Sequence, residues 1–350
     1  MDAIKSSITA EPESSLLTVH ILELSGESGL AWIPRTTSIE EVLKDTANCV
    51  PNFVFAGSEK LKSEDQNSYD LQRKLEDRYG MPTGILASTY WKSNGFFGCS
   101  GSEMSCHRTW FLFLVKTYSR DDTGKDSQAH WYRMGFFSSW SPTGRRSILC
   151  LDCPKEFRTE ICKSLDSSNK QSFSADPYCF HPHILGAMVH TYDNTIWRIH
   201  DFEDALEKNR AKSGERADFK FIHGISRHVI HNRENSTVAT EIISKMVKRH
   251  GSFVSRINSF QEAAREHVRE IQDSLEFHHG TLFGFKCRCE ALQQRHEDEI
   301  ALAQSTTLST DSAASLKIAA TMKIVAIASA VFLPATFISV SLYPYLPLRY

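Results

Sequence analysis

The sequence lacks a dominant charge and lacks the composition of a many-helix membrane protein. Its 40 lysines and arginines face 42 aspartates and glutamates, so the formal net charge is −2 at pH 7. A field this weak argues against nucleic acid as a partner. The mean hydropathy of −0.33 excludes a chain built mostly of membrane helices, although it is compatible with one apolar segment at one end.

The N-terminus lacks the features of a targeting sequence. It carries Asp2, Glu11 and Glu13, and no basic stretch with an apolar core follows. It therefore predicts neither a secretory signal nor a transit peptide, and we expect the soluble part of the chain to lie in the cytosol. Thiols stay reduced in that compartment, so the nine cysteines predict no disulfide framework.

Nucleotide-binding and hydrolase signatures are missing as well. The sequence contains no G-x-x-x-x-G-K-[ST], no G-x-S-x-G, no H-E-x-x-H and no G-x-G-x-x-G that opens a helix. Each of these motifs places backbone donors, a nucleophile or metal ligands where the chemistry needs them. Their absence predicts that the chain is not an enzyme.

Histidine and cysteine pairs offer only weak candidates for a metal site. His228 and His231 lie three residues apart on one predicted helix, and Cys150 and Cys153 form a single C-x-x-C. A zinc site needs at least three protein ligands, and neither pair has an indicated third one. We interpret the histidines as solvated or core-edge side chains, and we predict no bound cofactor.

Aromatic runs predict a sheet in the first half of the chain. From Gly84 to Leu151, Trp, Phe and Tyr concentrate in runs such as TWFLFLVKTY and HWYRMGFFSSW, which polar turns separate. Such runs at roughly ten-residue spacing predict an antiparallel sheet. Leu16–Leu24 predicts a strand, and Ser38–Lys44 predicts a short helix with Ser38 as its N-cap. We assign residues 1–175 to a mixed α/β domain.

The second half of the chain lacks proline. None occurs between Pro182 and Pro334, and proline is the strongest helix breaker, so this region predicts several long helices. We assign residues 176–322 to a helical stalk domain, in which 282–321 is one long helix. The predicted fold class is α+β.

An uncharged apolar segment follows this stalk. Residues 324–348 carry no charge, and 324–343 would form about 30 Å of helix, the thickness of one hydrocarbon core. We predict a transmembrane helix over 323–343, a short tail over 344–350, and a lipid bilayer as partner. A core helix buried in a wholly soluble protein is the alternative.

The orientation of this span follows from the charges beside it. Lys317 and Lys323 precede the segment, and lysines collect on the cytoplasmic side of membrane helices. We therefore expect a single-pass membrane protein with its N-terminal part in the cytoplasm.

One face of the long helix repeats every eleven residues. Asp311, Ala314, Ile318, Met322 and Val325 lie on it at spacings of three, four, four and three. This period is 3.67 residues per turn, which suits a nearly straight bundle. The full face, which runs from Ala303 through Thr307 to Ser329, Leu333 and Thr336, is small and partly polar compared with a coiled-coil seam. An ordinary packing face is the alternative, because such a ladder can be drawn on any helix.

The segment MKIVAIASAVFLPATFISVSLY (322–343) resembles the first transmembrane helix of the CorA/ZntB divalent-metal transporter superfamily. It shares the Met-Lys start and the Phe-Leu-Pro-Ala-Thr-Phe core at 332–337. Residues 197–210, 225–242 and 315–323 resemble its fungal CorA-like branch. The resemblance implies a cytosolic α/β domain, a stalk helix and a homo-oligomer whose first membrane helices line an ion path. By alignment, the residues lining that path would be Met322, Val325, Ser329, Leu333 and Thr336.

Two functions stay open at this point. The resemblance implies passive transport of a hydrated divalent cation such as Mg²⁺, with Asp311 forming an acidic ring about 16 Å from Met322. However, Tyr343-Pro344-Tyr345 stands where the superfamily has Gly-Met-Asn, and the sequence ends at Tyr350 without a second apolar stretch. We expect a member truncated after its first span. The alternative is a non-conducting, membrane-tethered binding or scaffold protein.

Overall fold

A computed structural model describes most of the chain. The described residues are 18–25, 31–44, 52–59, 61–62, 65–86, 89–102, 106–118, 129–142, 146–166, 176–213, 219–255 and 262–342. The predicted tail over 344–350, together with Tyr343, lies outside them. Contacts divide the chain into two compact units: Met1–Phe202 with Ile225–Gln293, called the sheet unit below, and Glu203–Gly224 with Gln294–Tyr350. The domain boundaries proposed from the sequence stay predictions.

Strands dominate the beginning of the described chain and helices the rest. The strands are β1 Thr18–Ser25, β2 Ala31–Ser38, β3 Asn52–Ala56, β4 Gly95–Ser102, β5 Cys106–Tyr118, β6 Ala129–Trp140 and β7 Arg146–Leu151. The helices are α1 Ile39–Lys44, α2 Gln66–Tyr79, α3 Lys155–Asp166, α4 His181–Ser213, α5 Phe219–Val254 and α6 Glu262–Leu342.

The strands form one seven-stranded sheet in the order β2-β1-β3-β7-β6-β5-β4. Neighbours from β7 to β4 pair antiparallel, which confirms the prediction for the aromatic region. β3 pairs parallel with β7, with Phe53 opposite Ile148. This pair joins the aromatic hairpins to the first strands, so the sheet is mixed.

The sheet is buried on both faces, which explains the nearly unbroken apolar runs of its central strands. In β5, Phe111, Phe113 and Val115 belong to one core and Leu112 to the other, as the alternation of side chains along a strand requires. The first core includes residues of α3, α4, α5 and α6. The second includes residues of α1 and α2. The sheet therefore lies between helical layers.

Local capping sets the ends of the short helices. The Glu41 amide donates to Ser38 Oγ at 3.3 Å, which confirms Ser38 as the predicted N-cap of α1. α2 is capped at its start by Asp65, whose carboxylate accepts from the Ser68 amide at 2.7 Å. It ends at Gly80 with φ 61°, a left-handed conformation that favours glycine.

The predicted long helices are confirmed. α6 contains the predicted helix over 282–321 and extends beyond it at both ends, reaching 81 residues or about 120 Å. In the second compact unit, Glu203 on α4 and His296 on α6 are buried, and Glu203 Oε1 lies 2.6 Å from His296 Nδ1.

Candidate functional site

The C-terminal part of α6 is apolar and exposed. Its most apolar 18-residue window has a mean hydropathy of 2.1, and none of that window is buried. Phe332, Phe337 and Val340 are 67%, 74% and 74% exposed. Exposing such side chains to water costs about 25 cal/mol per Å², so this segment requires an apolar environment. Within the described residues, α6 is the one helix long and apolar enough to cross a membrane.

Polar groups in this segment bond within their own helix. Pro334 lies inside α6, and because proline has no N–H, the Ala330 carbonyl loses its usual helical donor. Two residues later, the Thr336 hydroxyl lies 2.9 Å from both the Phe332 and the Leu333 carbonyl oxygens, to which it can donate. Thr321 donates in the same way to the Lys317 carbonyl at 3.0 Å. Local satisfaction of this kind is what a helix among lipid tails needs.

The five residues predicted to line an ion path share one stripe of α6. Met322, Val325, Ser329, Leu333 and Thr336 are all exposed, and their spacing keeps them within one sector of the helix. The opposite side carries the branched apolar side chains of Ile327, Val331 and Ile338, also exposed. The stripe is therefore more polar than the side facing away from it. That these residues line a path stays a prediction.

Asp311 lies on the same stripe, closer to the N-terminus of α6. It is exposed, and eleven residues of helix separate it from Met322, or roughly 16 Å. Lys317 and Lys323 lie between Asp311 and the uncharged segment and are also exposed. The charged part of α6 thus ends where the apolar part begins.

The structure brings His228 and His231 together, but around a lysine. Lys116 Nζ lies 2.8 Å from His228 Nδ1 and 3.2 Å from His231 Nδ1. Burial, together with the charge of Lys116, lowers the pKa of His228 to about 4. The ammonium occupies the nitrogen lone pairs that a metal would need, so the interpretation as core-edge side chains agrees with the geometry. The described residues contain no group of three metal-ligating side chains.

The most buried charged contact of the sheet unit was missed by the sequence analysis. Asp176 Oδ2 lies 2.7 Å from His250 Nε2, and both side chains are fully buried. On the other side of the ring, His250 Nδ1 lies 2.7 Å from Gln272 Oε1. The Gln272 amide nitrogen donates to Glu276 at 2.6 Å, which leaves its oxygen to accept from His250. Both ring nitrogens of His250 therefore donate, as in an imidazolium.

The charge of His250 follows from these contacts. Burial opposes the charged ring, but the Asp176 carboxylate and the hydrogen bonds from Asp176 and Gln272 outweigh burial, so the pKa of His250 is raised. Asp176 precedes α4, His250 lies on α5 and Gln272 lies on α6. The contact thus connects the segment before α4 with α5 and α6 and has a structural role. No local motif could have revealed it, because Asp176 and His250 are 74 residues apart.

Comparisons with known proteins give the following matches. A family model described as CorA-like Mg²⁺ transporter protein matches residues 146–343, more than half of the chain. A curated relative, Notoamide biosynthesis cluster protein M' of Aspergillus versicolor, is 28% identical over 187 residues. That match covers 47% of this chain and 39% of the relative, so the chain spans about two fifths of the relative's length.

The solved structures that match the chain have low sequence identity to it. The full-length CmaX protein is 14% identical with a TM-score of 0.48, covering 93% of this chain and 85% of that one. The complete CorA magnesium transporter from Methanocaldococcus jannaschii is 11% identical with a TM-score of 0.47, covering 95% and 88%. The ZntB cytoplasmic domain from Vibrio parahaemolyticus is 10% identical with a TM-score of 0.40, covering 81% and 99%.

Proposed function

The chain belongs to the family of CorA-like Mg²⁺ transporter proteins, and from this premise we propose that it is a subunit of a divalent-cation channel. Its family comprises transporters rather than enzymes, and it is a membrane protein with a soluble N-terminal part. The observation that carries the proposal is the exposed apolar end of α6. It lies inside the region that the family model matches.

In the proposed mechanism, a hydrated cation flows passively down its electrochemical gradient through a pore built from several copies of the chain. Mg²⁺ loses its water reluctantly, and water bound to a cation turns its hydrogens outward. The pore wall must therefore supply acceptors. The Thr336 hydroxyl suits this role, because donating to its own backbone uses its proton and leaves an oxygen lone pair to accept. Thr336 and Ser329 would be the oxygen-bearing positions of the path.

Asp311 would act before the cation reaches the membrane. Repeated in each copy, this exposed carboxylate would form an acidic ring on the axis of the oligomer. Charges act over about 8–10 Å at physiological ionic strength, so the ring would concentrate cations near the entrance. Metal binding by an Asp311→Asn oligomer equal to that of the unaltered protein would contradict this role.

A flux assay tests conduction directly. The purified chain is reconstituted into liposomes that contain a magnesium-sensitive dye, and empty liposomes serve as the control. The proposal predicts that magnesium enters only the protein-containing vesicles. If magnesium, cobalt and zinc all enter no faster than into empty vesicles, this chain is not a transporter.

Cysteine accessibility tests the assignment of the stripe. Ser329→Cys places a thiol on the proposed path, and Val331→Cys places one on the opposite side of the same turn. Both are made in a Cys287→Ser background, because Cys287 is exposed. A charged thiol reagent should block flux through the first variant and leave flux through the second unchanged. Equal responses would refute the assignment.

The orientation proposed for this span puts the soluble part in the cytoplasm, since Lys317 and Lys323 flank the apolar segment on that side. Protease added to sealed, right-side-out vesicles or cells should leave the sheet unit intact. Digestion of the sheet unit without detergent would reverse the orientation.

A second candidate is a membrane-tethered binding protein that does not conduct. It is favoured by Tyr343-Pro344-Tyr345, which stands where the resemblance would place Gly-Met-Asn. Selective conduction needs polar groups at a constriction, and this tripeptide has no side-chain amide and no backbone N–H at Pro344. The triple change Tyr343→Gly, Pro344→Met and Tyr345→Asn distinguishes the two. Flux that appears only in the triple variant would favour the tethered protein.

A further inference from the structure

A large cleft in the sheet unit has no part in the proposed transport. Its volume is about 860 Å³. The end of β5 and the beginning of β6 form one side, and residues of α3 and α4 form the other. The cleft is thus built from elements that the fold already holds in place, and it is large enough for a small organic molecule.

Aromatic side chains form much of the cleft wall: Tyr118, Tyr132, Phe157 and Trp197. Trp197 is 46% exposed, and Arg288 lies over its ring at 4.7 Å. Aromatic rings offer apolar contact area to a ligand and attract cations to their faces. Arg288 already covers one face of Trp197, so the aromatic wall suits the apolar part of a ligand, and a preference for positive charge has to come from the polar groups of the cleft.

The charged side chains of the cleft are mainly acidic. Glu156, Glu160 and Asp201 line it together with one arginine, Arg198. Glu160 pairs with Lys163 at 2.7 Å, and Asp201 lies 3.8 Å from Arg198. Glu156 is exposed and has neither a hydrogen bond nor an ion pair with another described residue. It is the carboxylate left available to a ligand.

Most of the remaining polar groups of the cleft are already bonded. The Thr191 and Thr195 hydroxyls donate to backbone carbonyls at 2.8 and 2.9 Å. Tyr118 differs, because the residue is only 9% exposed and its hydroxyl finds no hydrogen-bond partner in the part of the chain that the structure describes. A buried polar group without a partner is unfavourable, and a ligand that bonds to this hydroxyl would relieve that cost.

We propose that this cleft binds a small organic cation, namely a primary amine carried by an aromatic or branched apolar body. A primary ammonium has three N–H donors. The Glu156 carboxylate, the Tyr118 oxygen and a ring nitrogen of His130, which also lines the cleft, supply three acceptors. The aromatic wall takes the apolar body.

A bare or hydrated metal ion fits this cleft less well. Among the described residues, no three His, Cys, Asp or Glu side chains are grouped as metal ligands would be. A metal ion also makes no use of an aromatic wall. The two kinds of ligand can be separated by competition.

The test uses the full chain in detergent and two amine probes, phenethylamine and cyclohexylmethylamine. Their acidic counterparts, 3-phenylpropionate and cyclohexylacetate, have the same apolar bodies with the opposite charge. Isothermal titration calorimetry should show saturable binding of an amine and none of an acid. Trp197 emission offers a second readout, because this side chain lines the cleft.

Variants locate the binding within the cleft. Tyr118→Phe removes one oxygen and should weaken amine binding about fivefold, and Glu156→Gln removes the charge and should weaken it about tenfold. Glu241→Gln is the matched control, because Glu241 is an exposed residue of α5 that pairs with Lys245 at the surface. Its affinity should be unchanged, and unfolding curves should match among all three.

Several results would overturn this proposal. They are the absence of saturable binding by both amines, equal binding of the acids, or unchanged affinity in both cleft variants. Displacement of the amine by magnesium, but not by sodium chloride of equal ionic strength, would assign the cleft to a metal ion instead. None of these measurements depends on flux, so the proposal can fail while transport stands.

Discussion

The sheet unit buries its large phenylalanine side chains, whereas the C-terminal part of α6 exposes them. Phe111, Phe113 and Phe136 are completely buried in the sheet unit, whereas Phe332 and Phe337 on α6 are largely exposed. The residue type is the same, but the sheet unit covers its phenylalanines with other elements of the same chain. The C-terminal part of α6 has no such cover from the described elements of the chain, and an apolar environment such as lipid would supply it.

The two regions also differ in how far apart in the sequence their hydrogen-bond partners lie. Some buried polar groups of the sheet unit bond to residues far away in the sequence: Asp176 contacts His250 and Thr109 contacts His181, pairs that are 74 and 72 residues apart. Thr336 on α6 bonds to carbonyls three and four residues away. A substitution of Asp176 or Thr109 therefore leaves a distant partner unpaired, whereas a substitution of Thr336 does not.

The largest effect should come from Asp176→Ala. Removing one partner of a fully buried ion pair leaves the charge of His250 unpaired, which costs about 3–5 kcal/mol of unfolding free energy. Urea unfolding followed by tryptophan fluorescence measures it, since all six tryptophans lie before residue 198.

Asp201→Ala is the control for this change, because its contact with Arg198 at 3.8 Å is at the surface and is worth less than about 1 kcal/mol. Equal losses of unfolding free energy for the two variants would show that the buried pair stabilises the fold no more than the surface pair does.

The next largest effect should come from Val331→Arg in the apolar part of α6. An arginine at the centre of a membrane helix costs about 2.5–3.5 kcal/mol of insertion free energy. Carbonate extraction should release part of this variant and none of the unaltered chain. Thr310→Arg is the control, since Thr310 is exposed and lies before the uncharged segment. Release of the unaltered chain would contradict the membrane span.

Acid should destabilise the sheet unit through histidines that are buried without charge. Burial lowers the pKa of His181 to about 3 and that of His183 to about 4. Below pH 6.5 the unfolded chain binds protons that the folded chain does not, so stability is full above this pH and falls as the pH falls. Between pH 6.5 and 5.5 these two residues should cost about 2 kcal/mol together.

His250 acts in the opposite direction. Its pKa is raised in the folded chain, so its contribution is complete below pH 6.5 and is lost as the pH rises through the raised value. The acid loss therefore comes from the neutral histidines, and His181→Gln should reduce the slope of unfolding free energy against pH. An unchanged slope in this variant would contradict the assignment.

The smallest effects should come from two threonine substitutions. Thr109→Val leaves buried His181 Nε2, now 3.0 Å from the Thr109 hydroxyl, without its partner and should cost about 1 kcal/mol. Thr336→Val removes a bond within one helix and should change stability by a few tenths of a kcal/mol at most. Thermal unfolding in detergent compares them. Equal losses of stability in the two variants would show that a hydrogen bond to a distant residue stabilises the fold no more than one within a single helix.

Sequence patterns predict the individual strands and helices, but not the pairing of residues that lie far apart along the chain. The aromatic runs of β5 and β6 and the missing prolines after Pro182 predicted the sheet and the helices correctly, because both signals are local. The parallel pairing of β3 with β7 joins residues 95 apart, such as Asn52 and Ser147, and no local pattern encodes it.

The same limit applies to the candidate sites. The stripe from Met322 to Thr336 follows from the helical period alone, so the sequence predicts it, but what faces the stripe does not follow from the sequence of one chain. The cleft beside Tyr118 could not be predicted, because its walls come from four elements that only the fold brings together.

Pro334 has a mechanical consequence for α6. Each backbone hydrogen bond resists bending of a helix, and at Pro334 one of them cannot form. Resistance is therefore lowest about midway along the uncharged segment, between Ser329 and Thr336 on the stripe. A force that tilts one half of the segment relative to the other will therefore bend α6 at this position, so Pro334 is expected to act as a hinge in the helix.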